Sequence, residues 1–186
     1  MEIEKDLKDC FKIALIEEEK GKKHKGLLIG NPSQKDAEEF VIKAKKNLRF
    51  CNICKEEGFD YKLPEEWFYI LYYCALAILA KFGVDSRSQR CTAHFLRYIK
   101  DVKLIEYDEE YIKRITVFKE KGKTSDVDER EKARYGPSIE INEIAGQYDK
   151  MMELCKNAIS QCEEIVYSNN KFEIPKELLQ DLNNKL

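Results

Sequence analysis

From Trp67 to Ala80 the chain runs through fourteen residues without one charged side chain. A helix that is apolar on every side is stable only among other helices, so this run predicts the central member of a bundle. It falls short of the roughly 20 residues that a bilayer crossing needs. Only 8 Gly and 4 Pro occur among 186 residues, few for a sheet with many turns, while charged residues make up 37%. Together these features predict one all-α domain, an antiparallel up-and-down bundle of four to five helices with extra N- and C-terminal helices.

The periodicity places the remaining elements. Ile3, Leu7, Cys10 and Ala14 recur at fours and threes and predict a first helix over 3–20. The basic stretch Lys20-Gly21-Lys22-Lys23-His24-Lys25-Gly26 breaks it, and Leu27-Leu28-Ile29 reads as an apolar loop. Ser33 is placed to cap a second helix, whose stripe Ala37, Phe40, Val41, Ala44, Leu48, Cys51 and Cys54 continues to Gly58. Pro64 opens the central helix and Gly83 ends it. Asp85 or Ser86 is expected to cap a fourth helix with Cys91, Phe95, Tyr98, Ile99 and Val102 on its apolar face. A shorter helix starts near Asp108, and 120–136 reads as a long polar connection. The strongest amphipathic pattern follows over 138–168, from Ile141 through Ile144, Tyr148, Met151, Cys155, Ala158 and Cys162 to Ile165. Pro175 opens a last short helix docking through Leu178, Leu179 and Leu182.

The net charge is −2, so any nucleic-acid site has to be local rather than a global basic field. The charged N-terminus has no signal-peptide core, which points to the cytoplasm and no membrane. Seven scattered cysteines then read mainly as reduced, buried small hydrophobes. Cys51 and Cys54 form a lone CxxC on an amphipathic helix, lacking the second pair of ligands a structural zinc would want; we expect no metal and no cofactor.

Arg87, Arg90, His94 and Arg97 are spaced three, four and three apart behind the central helix. That spacing predicts a basic stripe along the fourth helix, where Arg forks and free helix N–H groups can hold a phosphate. His94 is the candidate acid or base, since imidazole exchanges protons near neutral pH. The same four residues also fit an ordinary solvated face balanced by nearby acids. A second basic element, Arg130-Glu131-Lys132-Ala133-Arg134-Tyr135-Gly136, precedes the long last helix.

The Tyr- and Ala-rich helix ending in Lys81-Phe82-Gly83, followed by Ser86-Arg87-Ser88-Gln89-Arg90, resembles the central helix and turn of the HEPN superfamily (higher eukaryotes and prokaryotes nucleotide-binding). Arg130 to Gly136 is similar to that family's later Arg-x-x-Ala-Asp-Tyr element. The resemblance covers about residues 35–168, leaving the N-terminal helix (1–25) and the C-terminal helix (174–186) as additions. It implies a bundle that forms homodimers, with RNA or nucleotide as ligand. It also implies either metal-independent ribonuclease activity or a binding role beside a nucleotidyltransferase partner in a toxin–antitoxin or defence pair. The family's catalytic motif is Arg-x4-6-His. Here Arg130 is followed five residues later by Tyr135, and Gln89 stands where the turn His is expected. With a pKa near ~10, Tyr is a poor base at neutral pH. The expectation is therefore a non-catalytic RNA- or nucleotide-binding module, with Arg87, Arg90, Arg97 and Arg134 as anion ligands. The alternatives are a ribonuclease using Arg130 and Tyr135 or Arg87 and His94, and a helical scaffold for dimerisation.

Overall fold

A computed structural model of the chain describes residues 2–116, 141–175 and 178. The helices are α1 (Glu2–Glu19), α2 (Gln34–Glu56), α3 (Leu63–Lys81), α4 (Gln89–Asp101), α5 (Glu109–Arg114) and α6 (Ile141–Val166). A single 3-10 turn, Asp60–Lys62, leads into α3. Among the described residues the protein is mostly helical, with two three-residue strands, β1 (Leu27–Ile29) and β2 (Val84–Ser86).

The central layer is α2, α3 and α6. The short link through Asp60–Lys62 makes α2 and α3 antiparallel. Lys45 reaches Glu163 at 2.6 Å while the Tyr148 hydroxyl donates to Asn52 at 2.8 Å, so α6 runs antiparallel to α2. Cys155 contacts the Trp67 carbonyl and Cys162 that of Cys74, which sets α6 parallel to α3. The α6 stripe beyond its first turn behaves as its spacing demands: Met151, Cys155, Ala158, Cys162 and Ile165 are buried. Each large apolar side chain fully withdrawn from water contributes about 1.5–3 kcal/mol, and α3 supplies Phe68, Ile70, Leu71, Ile78 and Leu79.

Several details differ from the sequence reading. Leu27–Ile29 is not a loop: it pairs antiparallel with Val84–Ser86, Leu27 opposite Ser86 and Ile29 opposite Val84. An extended exit from α3 gives that apolar triplet a strand partner, which no local pattern reveals. Ser88, rather than Asp85 or Ser86, caps α4, its Oγ accepting from the Cys91 amide at 3.3 Å. Ser86 is withdrawn into a buried contact with Thr92 Oγ1 at 2.7 Å. Val102 lies just past α4 and is exposed. Cys10 and Cys91 are joined as a disulfide, whereas the other five cysteines are buried and outside any disulfide. Finally, α3 is not enclosed on all sides. Tyr69, Tyr72, Tyr73, Leu76 and Ala80 form one half-exposed stripe, three of whose members are amphipathic tyrosines.

The expected Ser33 cap of α2 is present, with Oγ accepting from the Asp36 amide at 3.2 Å. Asp108 caps α5 in the same way, accepting from the Glu110 amide at 2.8 Å. Leu178 is buried, and its amide donates to the Pro175 carbonyl at 3.0 Å. Leu179 and Leu182 lie outside the described residues, as does the polar connection at 120–136. No described helix is long and apolar enough to cross a membrane.

Candidate nucleic-acid interface

The residues proposed from sequence do not form one stripe. Arg87 precedes the Ser88 cap and so lies outside α4; it approaches Asp85 at 3.9 Å and its amide donates to the Gly26 carbonyl. Arg90, His94 and Arg97 share α4 and are each half-buried. The Arg97 guanidinium is turned to Glu109 at 3.1 Å, and Lys100 binds the same carboxylate at 3.0 Å. Burial alone would raise the Glu109 carboxyl. Hydrogen bonds and charge from Lys100 and Arg97 outweigh it and hold the group below its ordinary range. Of the expected stripe, Arg97 is thus engaged in joining α4 to α5. Arg130, Arg134 and Tyr135 lie outside the described residues.

A different basic surface lies on α2. From Phe40 to Lys55 the chain holds Lys43, Lys45, Lys46, Arg49 and Lys55 with no Asp or Glu. The face of α2 opposite Ala37, Val41 and Ala44 carries Ile42, Lys46, Arg49, Phe50 and Ile53 at spacings of four, three, one and three, and all five are exposed. Ile42, Phe50 and Ile53 are 48%, 43% and 51% exposed, which is unusual company for cations on a helix whose inner face is already satisfied.

This face continues into aromatic rings shared with α3. Phe40 stacks on Tyr73 with centroids 6.3 Å apart and planes 22° from parallel; Tyr73 stacks on Tyr69 at 5.8 Å and 24°. The Lys43 ammonium sits 5.0 Å from the Phe40 centroid and 5.9 Å from that of Tyr73. Burial, with smaller contributions from Tyr69 and Glu66, raises the Tyr73 phenol, so it stays neutral.

Beside these rings a cleft of about 330 Å³ opens between the first half of α2 and the last half of α3. Phe40, Leu76, Ala80 and Val84 give it apolar walls, and Ser33, Asp36, Glu39 and Asp85 line it with polar groups. The turn at Gly83 closes one end. Gly83 has φ +71°, and a Cβ there would lie 2.6 Å from the Gly30 carbonyl oxygen. Only glycine allows this approach, in which the Gly30 amide donates to the Gly83 carbonyl at 2.7 Å. Lys81 donates to Gln34 at 2.7 Å across the same junction.

Among the described residues no group of three or more His, Cys, Asp or Glu could hold a metal ion. Cys51 and Cys54 are core thiols, and burial raises both well away from thiolate character. The α2 face was open to detection in the sequence as a carboxylate-free run with alternating basic and apolar residues. Its neighbour Tyr69–Tyr73 was absorbed into the uncharged run of α3, where it read as core. No protein-family model and no curated protein matches the chain.

Proposed function

We propose that the chain is a non-catalytic, HEPN-like module that binds RNA or nucleotide, and that its binding surface is α2 with the adjoining rings of α3. The observation that carries this reading is the exposed face Ile42–Lys46–Arg49–Phe50 beside the Phe40–Tyr73–Tyr69 stack. Ammonium and guanidinium groups neutralise phosphates, and stacked rings accept bases whatever their sequence. Six residues of helix separate Lys43 from Arg49, a rise of about 9 Å, enough for two or three phosphates of a single strand. Asp36 and Glu39 can accept from ribose hydroxyls or exocyclic amino groups at the cleft edge.

In this reading the chain would also form the homodimer and join the nucleotidyltransferase-paired system that the family resemblance implies. The ribonuclease alternative would rest on Arg130 and Tyr135, or on Arg87 and His94. The test is fluorescence anisotropy with labelled single-stranded RNA at low salt, run beside a cleavage assay of the same RNA in EDTA. Saturable binding with intact RNA is expected. Absence of binding at about 50 mM salt contradicts the module reading, and cleavage contradicts its non-catalytic part.

A further inference from the structure

Helix α1 is held to the molecule differently from the rest. It packs on α4 and β1, through Leu7, Cys10, Phe11 and Ala14, all buried. Its connection to β1 is the exposed basic linker Lys20–Lys23. Three devices fasten this flank. Gly26 brings the chain so close to the Cys10 carbonyl that a Cβ would collide with it. His24, only 4% exposed, places Nε2 3.0 Å from Asp85 Oδ2 of β2, while its Nδ1 has no hydrogen-bond partner among the described residues. The third is the Cys10–Cys91 bond, which spans 81 residues with Cα atoms 5.9 Å apart.

No other disulfide is present, and the five further cysteines sit buried in α2, α3 and α6 outside any disulfide. The bond is therefore not part of a cross-linked scaffold. It joins α1 to α4, at residues that are 0% and 2% exposed.

We propose that Cys10 and Cys91 form a reversible thiol–disulfide switch that sets how tightly α1 is docked, exchanging with a low-molecular-weight thiol and its disulfide. Two protein thiols and one small disulfide yield the Cys10–Cys91 bond and two small thiols. The first protein thiolate attacks the small disulfide and expels one thiolate. The second attacks the mixed disulfide, expels the other, and the two protons lost by the protein protonate the leaving thiolates. Because both sulfurs are shielded when α1 is docked, exchange requires α1 to lift. Docking in turn raises the effective concentration of one thiol at the other. Cys91 lies in the first turn of α4. The consequence reaches the cleft, since α1 leans on β1, β1 pairs with β2, and Val84, Asp85 and Ser86 of β2 line that cleft.

The test equilibrates the full-length protein in glutathione buffers of graded ratio, quenches with acid and counts alkylated thiols by mass under denaturing conditions. Hydrogen exchange of residues 2–19 and far-UV circular dichroism are read on the same samples. A midpoint is expected within the graded series, between a form with seven alkylated cysteines and one with five. At least a tenfold faster exchange of α1 is expected in the reduced form, with helicity of the bundle retained. Trypsin should nick the Lys20–Lys23 linker in both forms, and only the oxidised one should keep the N-terminal peptide attached on a non-reducing gel. Cys10→Ser should reproduce the fast exchange without reductant. Seven free thiols at every ratio, equal α1 exchange in both forms, or loss of the whole fold on reduction would each overturn the switch.

Discussion

Individual residues carry much of what the sequence could not announce. Glu66 stands in the first turn of α3, half-buried, with Asn47 donating to its Oε2 at 2.8 Å. Burial, then the neighbouring Glu65 charge, raises its carboxyl above the ordinary range, with Lys62 offsetting part of the shift. A raised folded-state pKa means that the native state favours the protonated form. Stability therefore increases as pH falls from neutral toward the ordinary carboxylate value of about 4.3. Glu66→Gln removes the charge and keeps the acceptor oxygen. It is expected to stabilise the protein at pH 7 by up to about 1 kcal/mol, with the gain shrinking as pH approaches 4.5. Thermal melts of both forms across that range check it, and a variant less stable at pH 7 contradicts the assignment. Gly83 offers a sharper case. Its positive φ and the nearby Gly30 and Pro32 backbone atoms leave no room for a side chain. Gly83→Ala should cost at least about 2 kcal/mol in a urea titration, and a cost under about 0.5 kcal/mol would mean that the junction rearranges freely.

Among the elements, α1 depends most on a covalent tie. Closing a loop of 81 residues removes chain entropy from the unfolded state worth roughly 4 kcal/mol. The Cys10→Ser/Cys91→Ser variant should therefore unfold at lower urea than the oxidised wild type by about that free energy, and should match the reduced wild type. Equal stability of oxidised and reduced protein would show that the bond contributes nothing. The α4–α5 contact gives a second prediction. Because Arg97 and Lys100 hold the Glu109 carboxyl low, its contribution is present above the ordinary carboxylate pKa and is lost as pH falls through the folded value. Glu109→Gln should flatten the acid limb of stability below about pH 4.5; an unchanged limb would place the acid sensitivity elsewhere.

The elements themselves were legible wherever one face repeats at helical spacing, as along Met151–Ile165 or Ala37–Cys54. What periodicity could not supply was pairing between distant segments. Leu27–Ile29 needs β2, and Cys10 needs Cys91; both partners lie more than fifty residues away. The orientation of α3 was hidden for another reason. Absence of charge cannot distinguish Leu71, fully packed, from the half-buried Tyr73.

At the scale of the molecule, a −2 chain leaves Lys46 and Arg49 exposed on α2, while Arg97, Lys100 and Arg114 pair with Glu109 and Glu110. The bundle of α2, α3 and α6 presents that face of α2 outward, with the tyrosine stack along its flank. The all-helical architecture could be read from composition and the uncharged run. The basic spacing was legible only in part: Arg90, His94 and Arg97 share α4, whereas the Ser88 cap leaves Arg87 outside it. The central claim is that α2, rather than the start of α4, meets phosphate. Titrating labelled single-stranded RNA at several salt concentrations tests it directly, comparing wild type, Lys46→Glu/Arg49→Glu and Arg90→Glu. The account predicts at least tenfold weaker binding for the α2 pair, with the slope of log K against log salt reduced by about 1.4, and near wild-type binding for Arg90→Glu. Unaltered binding by the α2 pair, with the loss appearing in Arg90→Glu, would contradict it.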